Sequence, residues 1–166
     1  MRICIIEMKF LTDSMFGKLT RLLRIFGYDT IYAEEVMKSA PDSQLLKYAI
    51  ENDRIILTRD KPFSEIAKKN SIYLQDIDAY ANLLWLQREI ELTLDFSIKD
   101  ARCSACNSNL KKVEDNESIK NQIMQETFNS FQDFFKCLNQ NCNKIYWRGS
   151  HIEKIINKLK KKAISK

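Results

Sequence analysis

The most constraining feature of this sequence is the stretch KFLTDSMFGKLTRLLRIFGYDTIYA, residues 9–33. An apolar run over Met8–Leu11 is typical of a buried strand, and Asp13 follows it closely. Five apolar residues then recur at helical spacing and predict one buried helix face: Phe16, Leu19, Leu22, Leu23 and Phe26. Gly27 stands where a helix C-cap favours glycine, and Asp29–Ala33 predicts a second strand. The stretch therefore predicts a strand–helix–strand unit with a carboxylate at the carboxyl end of its first strand.

The following residues continue this alternation of strands and helices. Two more strands are predicted over Arg54–Thr58 and Ser71–Gln75. Three more helices are predicted over 42–50, 62–69 and 79–94, and a polar loop over Glu34–Ser39. Repeated β–α units imply right-handed crossovers, so the predicted fold class is α/β, with a parallel sheet flanked by helices.

The composition changes near Ser97, which predicts two parts, residues 1–97 and 98–166. Lys and Arg minus Asp and Glu gives 13 − 15 = −2 for the first part and 14 − 7 = +7 for the second. A part this basic predicts a polyanionic partner such as nucleic acid, although the lysines could simply solvate a terminal helix. No apolar run approaches the roughly 18 residues of a membrane span, and we expect no signal peptide and a cytoplasmic location.

Three aspartates are predicted to meet at one edge of the sheet. Asp13 and Asp60 follow strands, and Asp42 begins a helix. In parallel α/β folds, strands end and the next helices begin at this same edge, where ligands bind. Crowded carboxylates repel one another unless a cation neutralises them, and Mg²⁺ or Mn²⁺ prefers oxygen ligands. The pattern predicts a Mg²⁺ or Mn²⁺ site that could hydrolyse a phosphodiester, with Asp76 or Asp78 as a candidate fourth ligand.

Each of these residues also has a purely structural interpretation. Asp13 and Asp42 could be helix N-caps, and Asp60 could be a turn residue. Asp76 and Asp78 could be solvated turn carboxylates. The convergence of three carboxylates on one edge favours the metal site.

Four arginines are candidates for holding a nucleic-acid backbone. Arg21 and Arg24 lie on the first predicted helix, Arg59 precedes Asp60, and Arg148 lies in the stretch KIYWRGSH. Tyr146 and Trp147 of that stretch could stack on an unpaired base or pack the second part against the first. No role is assigned to His151.

Four of the five cysteines form two close pairs, C-x₂-C at Cys103 and Cys106 and C-x₄-C at Cys137 and Cys142. Paired thiolates at this spacing predict a structural Zn²⁺ site with no open position. Two disulfides are the alternative, but cytosolic thiols stay reduced. Cys4 is predicted to be a small core residue.

Five stretches together resemble the Mut-seven C-terminal ribonuclease domain family, a branch of the PIN-like nucleases with a zinc ribbon after the catalytic domain. They are KFLTDSMFGKLTRLLRIFGYDTIYA, APDSQLLKYAI, RIILTRDKPF, ARCSACNSNL and KIYWRGSH, spread over residues 9–151. The resemblance implies a PIN-like domain over 1–97, a zinc ribbon with a basic helix over 98–166, and metal-dependent cleavage of RNA. It places the family's acidic positions on Asp13, Asp42 and Asp60.

The sequence thus predicts a ribonuclease that uses Mg²⁺ or Mn²⁺, holds a structural Zn²⁺ and acts on RNA. Two other functions remain open at this stage. One is an RNA-binding module on a PIN-like scaffold without turnover, and the other is a small phosphatase-like enzyme.

Overall fold

A computed structural model of the chain describes residues 8–164, so the prediction for Cys4 lies outside the described residues. The first sheet has four parallel strands in the order β2-β1-β3-β4. Its strands are β1 Lys9–Thr12, β2 Asp29–Tyr32, β3 Ile55–Thr58 and β4 Ser71–Tyr73. The prediction of a parallel sheet flanked by helices is confirmed.

The helices of this part are α1 Gly17–Ile25, α2 Ala33–Val36, α3 Asp42–Glu51, α4 Lys61–Ala67 and α5 Ala79–Glu89. The short helix α2 occupies the first half of the predicted loop over Glu34–Ser39. It forms because the Glu35 carboxylate accepts a hydrogen bond from the backbone N–H of Tyr32 at 3.1 Å. Helix α5 ends before the predicted residue 94, since Glu91 turns the chain with a φ of +55°. No helix within residues 8–164 is long and apolar enough to cross a membrane.

Each face of the sheet is covered by its own apolar core. Helices α1 and α5 cover one face, where Phe10, Leu23 and Leu83 are among the fully buried residues. Helices α3 and α4 cover the other face, around Leu11 and Ala49. Burial on both faces explains why the strands are nearly continuous apolar runs.

The second part contains a small antiparallel sheet in the order β5-β6-β7. Its strands are β5 Leu110–Lys112, β6 Phe135–Cys137 and β7 Ile145–Tyr146, with α6 Gln125–Ser130 inserted between β5 and β6. The last helix, α7 Ser150–Ile164, returns to the first part, where Ile155 and Leu159 join the core under α1 and α5. The boundary at residue 97 stays a prediction, but the packing of α7 links the two parts.

Polar contacts attach the cysteine-bearing part to the edge of the first sheet. Strand β2 is an edge strand, and the backbone N–H of its Thr30 donates to Asn107 Oδ1 at 3.0 Å. The same Asn107 side chain donates through Nδ2 to Asp29 at 2.7 Å. Asp29 also accepts from Arg54 at 2.7 Å. A buried edge that would otherwise leave a backbone donor unpaired is closed by a side chain from the second part.

Gly27 lies at the end of α1, and two constraints require a glycine there. Its φ is +94°, a left-handed conformation that other residues rarely adopt. A Cβ at this position would lie 2.8 Å from the carbonyl oxygen of Asp100. The predicted C-cap glycine is therefore also the point of closest approach of the segment that enters the second part.

We expect Gly27→Ala to lower the free energy of unfolding by about 1–3 kcal/mol, because alanine strains the backbone and clashes with a main-chain oxygen. Gly17→Ala is the matched control, since a Cβ there meets the Tyr32 hydroxyl at an ordinary 3.7 Å. Urea unfolding of both variants measures the difference. Equal stabilities would contradict this account of Gly27.

Candidate functional site

Asp13 follows β1 at the carboxyl edge of the first sheet, as predicted, and its carboxylate is held on both oxygens. Oδ1 accepts from the backbone N–H of Ser14 at 2.6 Å, which caps the 3₁₀ turn Ser14–Phe16. Oδ2 accepts from the Thr58 hydroxyl at 2.8 Å. The capping interpretation of Asp13 is therefore realised, together with its place at the edge.

Thr58 connects Asp13 to Asp60. Its Oγ1 accepts from the backbone N–H of Asp60 at 2.9 Å while donating to Asp13, and the residue is fully buried. Asp60 in turn caps α4, with Oδ1 accepting from the N–H of Phe63 at 2.9 Å. One buried hydroxyl thus positions two of the three predicted site residues.

Asp42 differs from the other two aspartates because it caps nothing in the described structure. Pro41 occupies the N-cap position of α3, and Asp42 is the first helical residue. Asp42 is an exposed residue. Even so, partial loss of hydration, and then the negative charges of Asp60 and Asp13, raise the pKa of its carboxyl group. The three carboxylates therefore lie within electrostatic reach of one another.

The three aspartates are not drawn together into a closed set of ligands. Among residues 8–164, the group whose ligand atoms lie close enough to one another to hold a metal ion consists of the four cysteines. The carboxylate groups of Asp13, Asp42 and Asp60 are not part of that group. Their oxygen donors suit Mg²⁺ or Mn²⁺, and Asp42 has no competing capping bond.

The two candidates for a fourth ligand are engaged in local structure. Asp78 caps α5 by accepting from the N–H groups of Tyr80 and Ala81, and it forms an ion pair with Lys162 at 3.2 Å. Asp76 accepts from the backbone N–H of Asp78 at 2.8 Å. These bonds favour the structural interpretation of both residues.

The four predicted nucleic-acid contacts lie in different environments. Arg21 is exposed on α1, and Arg59 is half-buried beside Asp60. Arg148 is exposed and pairs with Glu153 at 2.9 Å. The structure does not bring these three into a single cluster.

For Arg24 the prediction of a nucleic-acid contact is wrong. Its side chain is 2% exposed, pairs with Glu35 and donates to the carbonyl oxygen of Thr30 at 2.8 Å. It also donates to the carbonyl oxygen of Ser104 in the second part at 3.3 Å. The guanidinium is used in the interior, where leaving a paired charge without its partner is costly.

The four cysteines come together as predicted. Their Sγ atoms all lie within 4.8 Å of one another, with Cys103 and Cys142 3.6 Å apart and Cys106 and Cys137 3.4 Å apart. Four sulfurs around a Zn²⁺ at about 2.3 Å would be roughly 3.8 Å apart, so this geometry fits the ion. All four are free cysteines, which disfavours the disulfide alternative.

The pKa values of these thiols also indicate a site for a cation. Burial, and then the neighbouring thiols, raise the pKa of Cys137 to about 12 and also raise the pKa of Cys142. Burial opposes ionisation of Cys106 as well, but hydrogen bonding with Ser108 and the other thiols outweighs it and lowers the pKa of Cys106 to about 6. Four thiolates therefore need a bound cation to coexist at neutral pH, and tetrahedral sulfur sites select Zn²⁺.

Tyr146 is a contact of this cluster that the sequence analysis did not assign. Its hydroxyl lies 3.0 Å from Cys103 Sγ and 3.4 Å from Ser104 Oγ. Neither base stacking nor packing between the parts describes this role. Trp147, by contrast, packs against Phe131 and Phe134 of its own part.

The fold and site together define a parallel α/β domain with aspartates at its carboxyl edge and a four-cysteine module consistent with a zinc ribbon. A family model for the Mut7-C RNAse domain matches residues 8–159, and the chain belongs to that family. The resemblance found in the sequence is confirmed, and membership implies a ribonuclease-type function with RNA as the substrate. Neither the curated proteins nor the solved structures compared with this chain gave a match.

We expect about one Zn²⁺ per chain. The variant Tyr146→Phe should bind this ion roughly 10- to 100-fold more weakly, because it loses a hydrogen bond to a ligand sulfur. Competition with a chromogenic zinc chelator measures this affinity. Tyr48→Phe is the control, since Tyr48 lies on α3 on the far side of the sheet. A chain without zinc would contradict the assignment of the four cysteines as a zinc site. Equal zinc affinities in the two variants would contradict the role of Tyr146.

Proposed function

We propose that this chain is a Mg²⁺- or Mn²⁺-dependent ribonuclease that cleaves phosphodiester bonds at Asp13, Asp42 and Asp60. The observation that carries the proposal is geometric: Asp13 and Asp60 follow parallel strands β1 and β3 at one edge of the sheet and are bridged by the Thr58 hydroxyl. Desolvation, and then the charges of Asp60 and Asp13, raise the pKa of Asp42, which supports its place at the same edge. Like charges gathered at one edge of a sheet favour a site for a cation over three independent surface residues. A cytoplasmic location is part of the proposal, because a zinc site of four cysteines needs reduced thiols, which a reducing compartment maintains.

In this proposal the three carboxylates would hold the metal ion. When bound, the ion would supply positive charge to the phosphodiester and lower the pKa of a water molecule. The chain's own contribution is orientation. The Thr58 hydroxyl holds Asp13, and the N–H of Phe63 holds Asp60, so neither carboxylate has to find its rotamer when substrate arrives. Arg59, next to Asp60, is a candidate contact for the phosphate backbone.

The alternative is an RNA-binding module without turnover. The observation in its favour is that Asp13 and Asp60 are both engaged as caps and that the three carboxylates do not form a closed set of ligands. The two functions differ in one measurable property, the hydrolysis of RNA on addition of Mn²⁺.

We expect Asp13→Asn, Asp42→Asn and Asp60→Asn each to lower the rate of RNA cleavage by more than about 100-fold. Loss of a partner outside the ligand shell can already cost about 100-fold, and loss of a ligand should cost more. Asparagine keeps the shape and most hydrogen bonds of aspartate but loses the charge that holds a cation. Initial rates on a labelled RNA in Mn²⁺ measure the effect. Melting temperatures without added Mn²⁺ should hold or rise slightly, since one repulsive charge is removed.

The matched control is Asp53→Asn, an exposed aspartate whose φ of +53° asparagine also tolerates. This variant should cleave at the wild-type rate. Full activity in Asp13→Asn would remove the proposed metal site. Tight RNA binding by a wild-type chain that never cleaves would establish the binding module instead.

Thr58→Val tests the positioning role of the buried hydroxyl. Valine has nearly the same shape but cannot donate to Asp13 or accept from Asp60, so cleavage should slow by about 10- to 100-fold. If the hydroxyl acts by positioning the ligands, raising the Mn²⁺ concentration should restore part of the rate. A rate that falls without any change in Mn²⁺ dependence would contradict that role.

A further inference from the structure

A groove of about 840 Å³ lies between α1, α7 and the cysteine module, by which we mean the portion of the second part that precedes α7 and carries the four cysteines. Side chains from all three elements line it, among them Arg21 from α1, Lys144 from the cysteine module and His151 from α7. Tyr32, at the end of β2, closes one side. The groove therefore exists only when the second part is docked on the first.

The groove carries a net positive charge. Its one lining carboxylate, Glu35, is already paired with Arg24. Lys18, Arg21 and Lys144 also line it, and none forms an ion pair with a carboxylate among the described residues. Cations that line a concave surface without a carboxylate partner attract a polyanion more strongly than isolated surface charges do.

Two lysines are held beside the groove by an aromatic ring. The ammonium groups of Lys18 and Lys158 lie 5.0 Å and 4.5 Å from the ring centroid of Tyr80, which is buried. Cation–π contacts of this kind restrict two otherwise flexible side chains. Positive charge from α1 and from α7 is thereby concentrated at one place.

Tyr32, which lines the groove, is linked to the aspartate edge by hydrogen bonds. The Tyr32 hydroxyl donates to the carbonyl oxygen of Ser14 at 2.6 Å, and the N–H of Ser14 is bound by Asp13. Burial, followed by the charges of Glu34, Asp13 and Glu35, raises the pKa of Tyr32, whereas Arg21 lowers it. The charges of Arg21 in the groove and of Asp13 in the site therefore both act on the Tyr32 hydroxyl.

We propose that this groove binds a single strand of RNA and leads it to Asp13, so that the cysteine module and α7 form one wall of the substrate site. The inference rests on the proposed function and adds the substrate class and the path of the strand. A basic groove lined by the half-buried Tyr32 and the exposed His151 suits an unpaired backbone with bases that can stack. A paired helix is a rigid cylinder whose bases are already stacked, so it makes less use of a concave surface lined from three elements than a flexible single strand does.

The test compares two double variants that remove the same charge. Arg21→Ala/Lys144→Ala takes one cation from each wall of the groove. Lys69→Ala/Lys111→Ala takes two exposed cations from elsewhere, one from the 3₁₀ turn Lys68–Asn70, which packs on α3 and α4, and one from β5. Binding of a fluorescein-labelled 12-residue oligouridylate is measured by anisotropy from 50 to 300 mM salt, without added Mg²⁺ or Mn²⁺.

Removing two phosphate contacts should weaken binding roughly 25-fold at 0.1 M salt and reduce the slope of log K against log salt by about 1.4. The control pair should stay within about twofold of the wild type. Zinc content, measured in parallel, verifies that Lys144→Ala has not disturbed the cysteine module. Equal losses in both pairs, or equal competition by a duplex of the same length, would overturn the proposal.

A second measurement does not depend on affinity. A 4-thiouridine-substituted RNA should crosslink to peptides covering residues 18–32 and 144–155, and crosslinks confined to other peptides would overturn the groove. Cleavage assays separate this proposal from the proposed function. If Asp13→Asn is inactive while the groove pair keeps the wild-type KM, the groove alone is wrong. If Asp13→Asn cleaves normally while the groove pair binds weakly, the assignment of the aspartates alone is wrong.

Discussion

The position of the cysteine module relative to the first sheet depends on the contacts of one carboxylate, that of Asp29. This carboxylate accepts hydrogen bonds from Arg54 beside β3 and from Asn107 of the cysteine module, and it lies 4.0 Å from the guanidinium of Arg102. Burial opposes ionisation of this group, but these donors outweigh it and lower the pKa of Asp29. A carboxylate so well matched by donors remains charged at one edge of the sheet and holds the module in a fixed place.

The opposite situation holds at the carboxyl edge. Asp29 is compensated by arginines, whereas none of Asp13, Asp42 and Asp60 forms an ion pair among the described residues. Desolvation, and then the charges of Asp60 and Asp13, raise the pKa of Asp42. The chain therefore contains one acidic residue that is paired and stabilises the fold, and a set of aspartates without cationic partners at the carboxyl edge. Uncompensated charge of this kind is typical of sites that await a ligand. The family membership implies a ribonuclease-type function with RNA as the substrate.

Local patterns predicted the parallel sheet, the left-handed glycine at residue 27 and the clustering of the cysteines, because each depends on neighbours along the chain or on a strong ligand preference. They failed for Arg24, which was predicted to contact nucleic acid. A helical arginine looks the same whether its face is solvated or covered, and here the covering partners are Glu35 and Ser104, the latter 80 residues away. Thr58 carried a usable signal, since it precedes Arg59-Asp60 at the end of an apolar strand.

The sequence by itself determined the α/β alternation, the aspartates at one edge and the four-cysteine module, since residue periodicity and spacing are properties of the chain. Only the tertiary structure decided where the module docks, that α7 returns to the first core, and that Tyr146 contacts Cys103. It alone placed Arg21, Lys144 and His151 around one groove. Contacts between segments more than a hundred residues apart arise from the packing of whole elements, and no local pattern of residues encodes them.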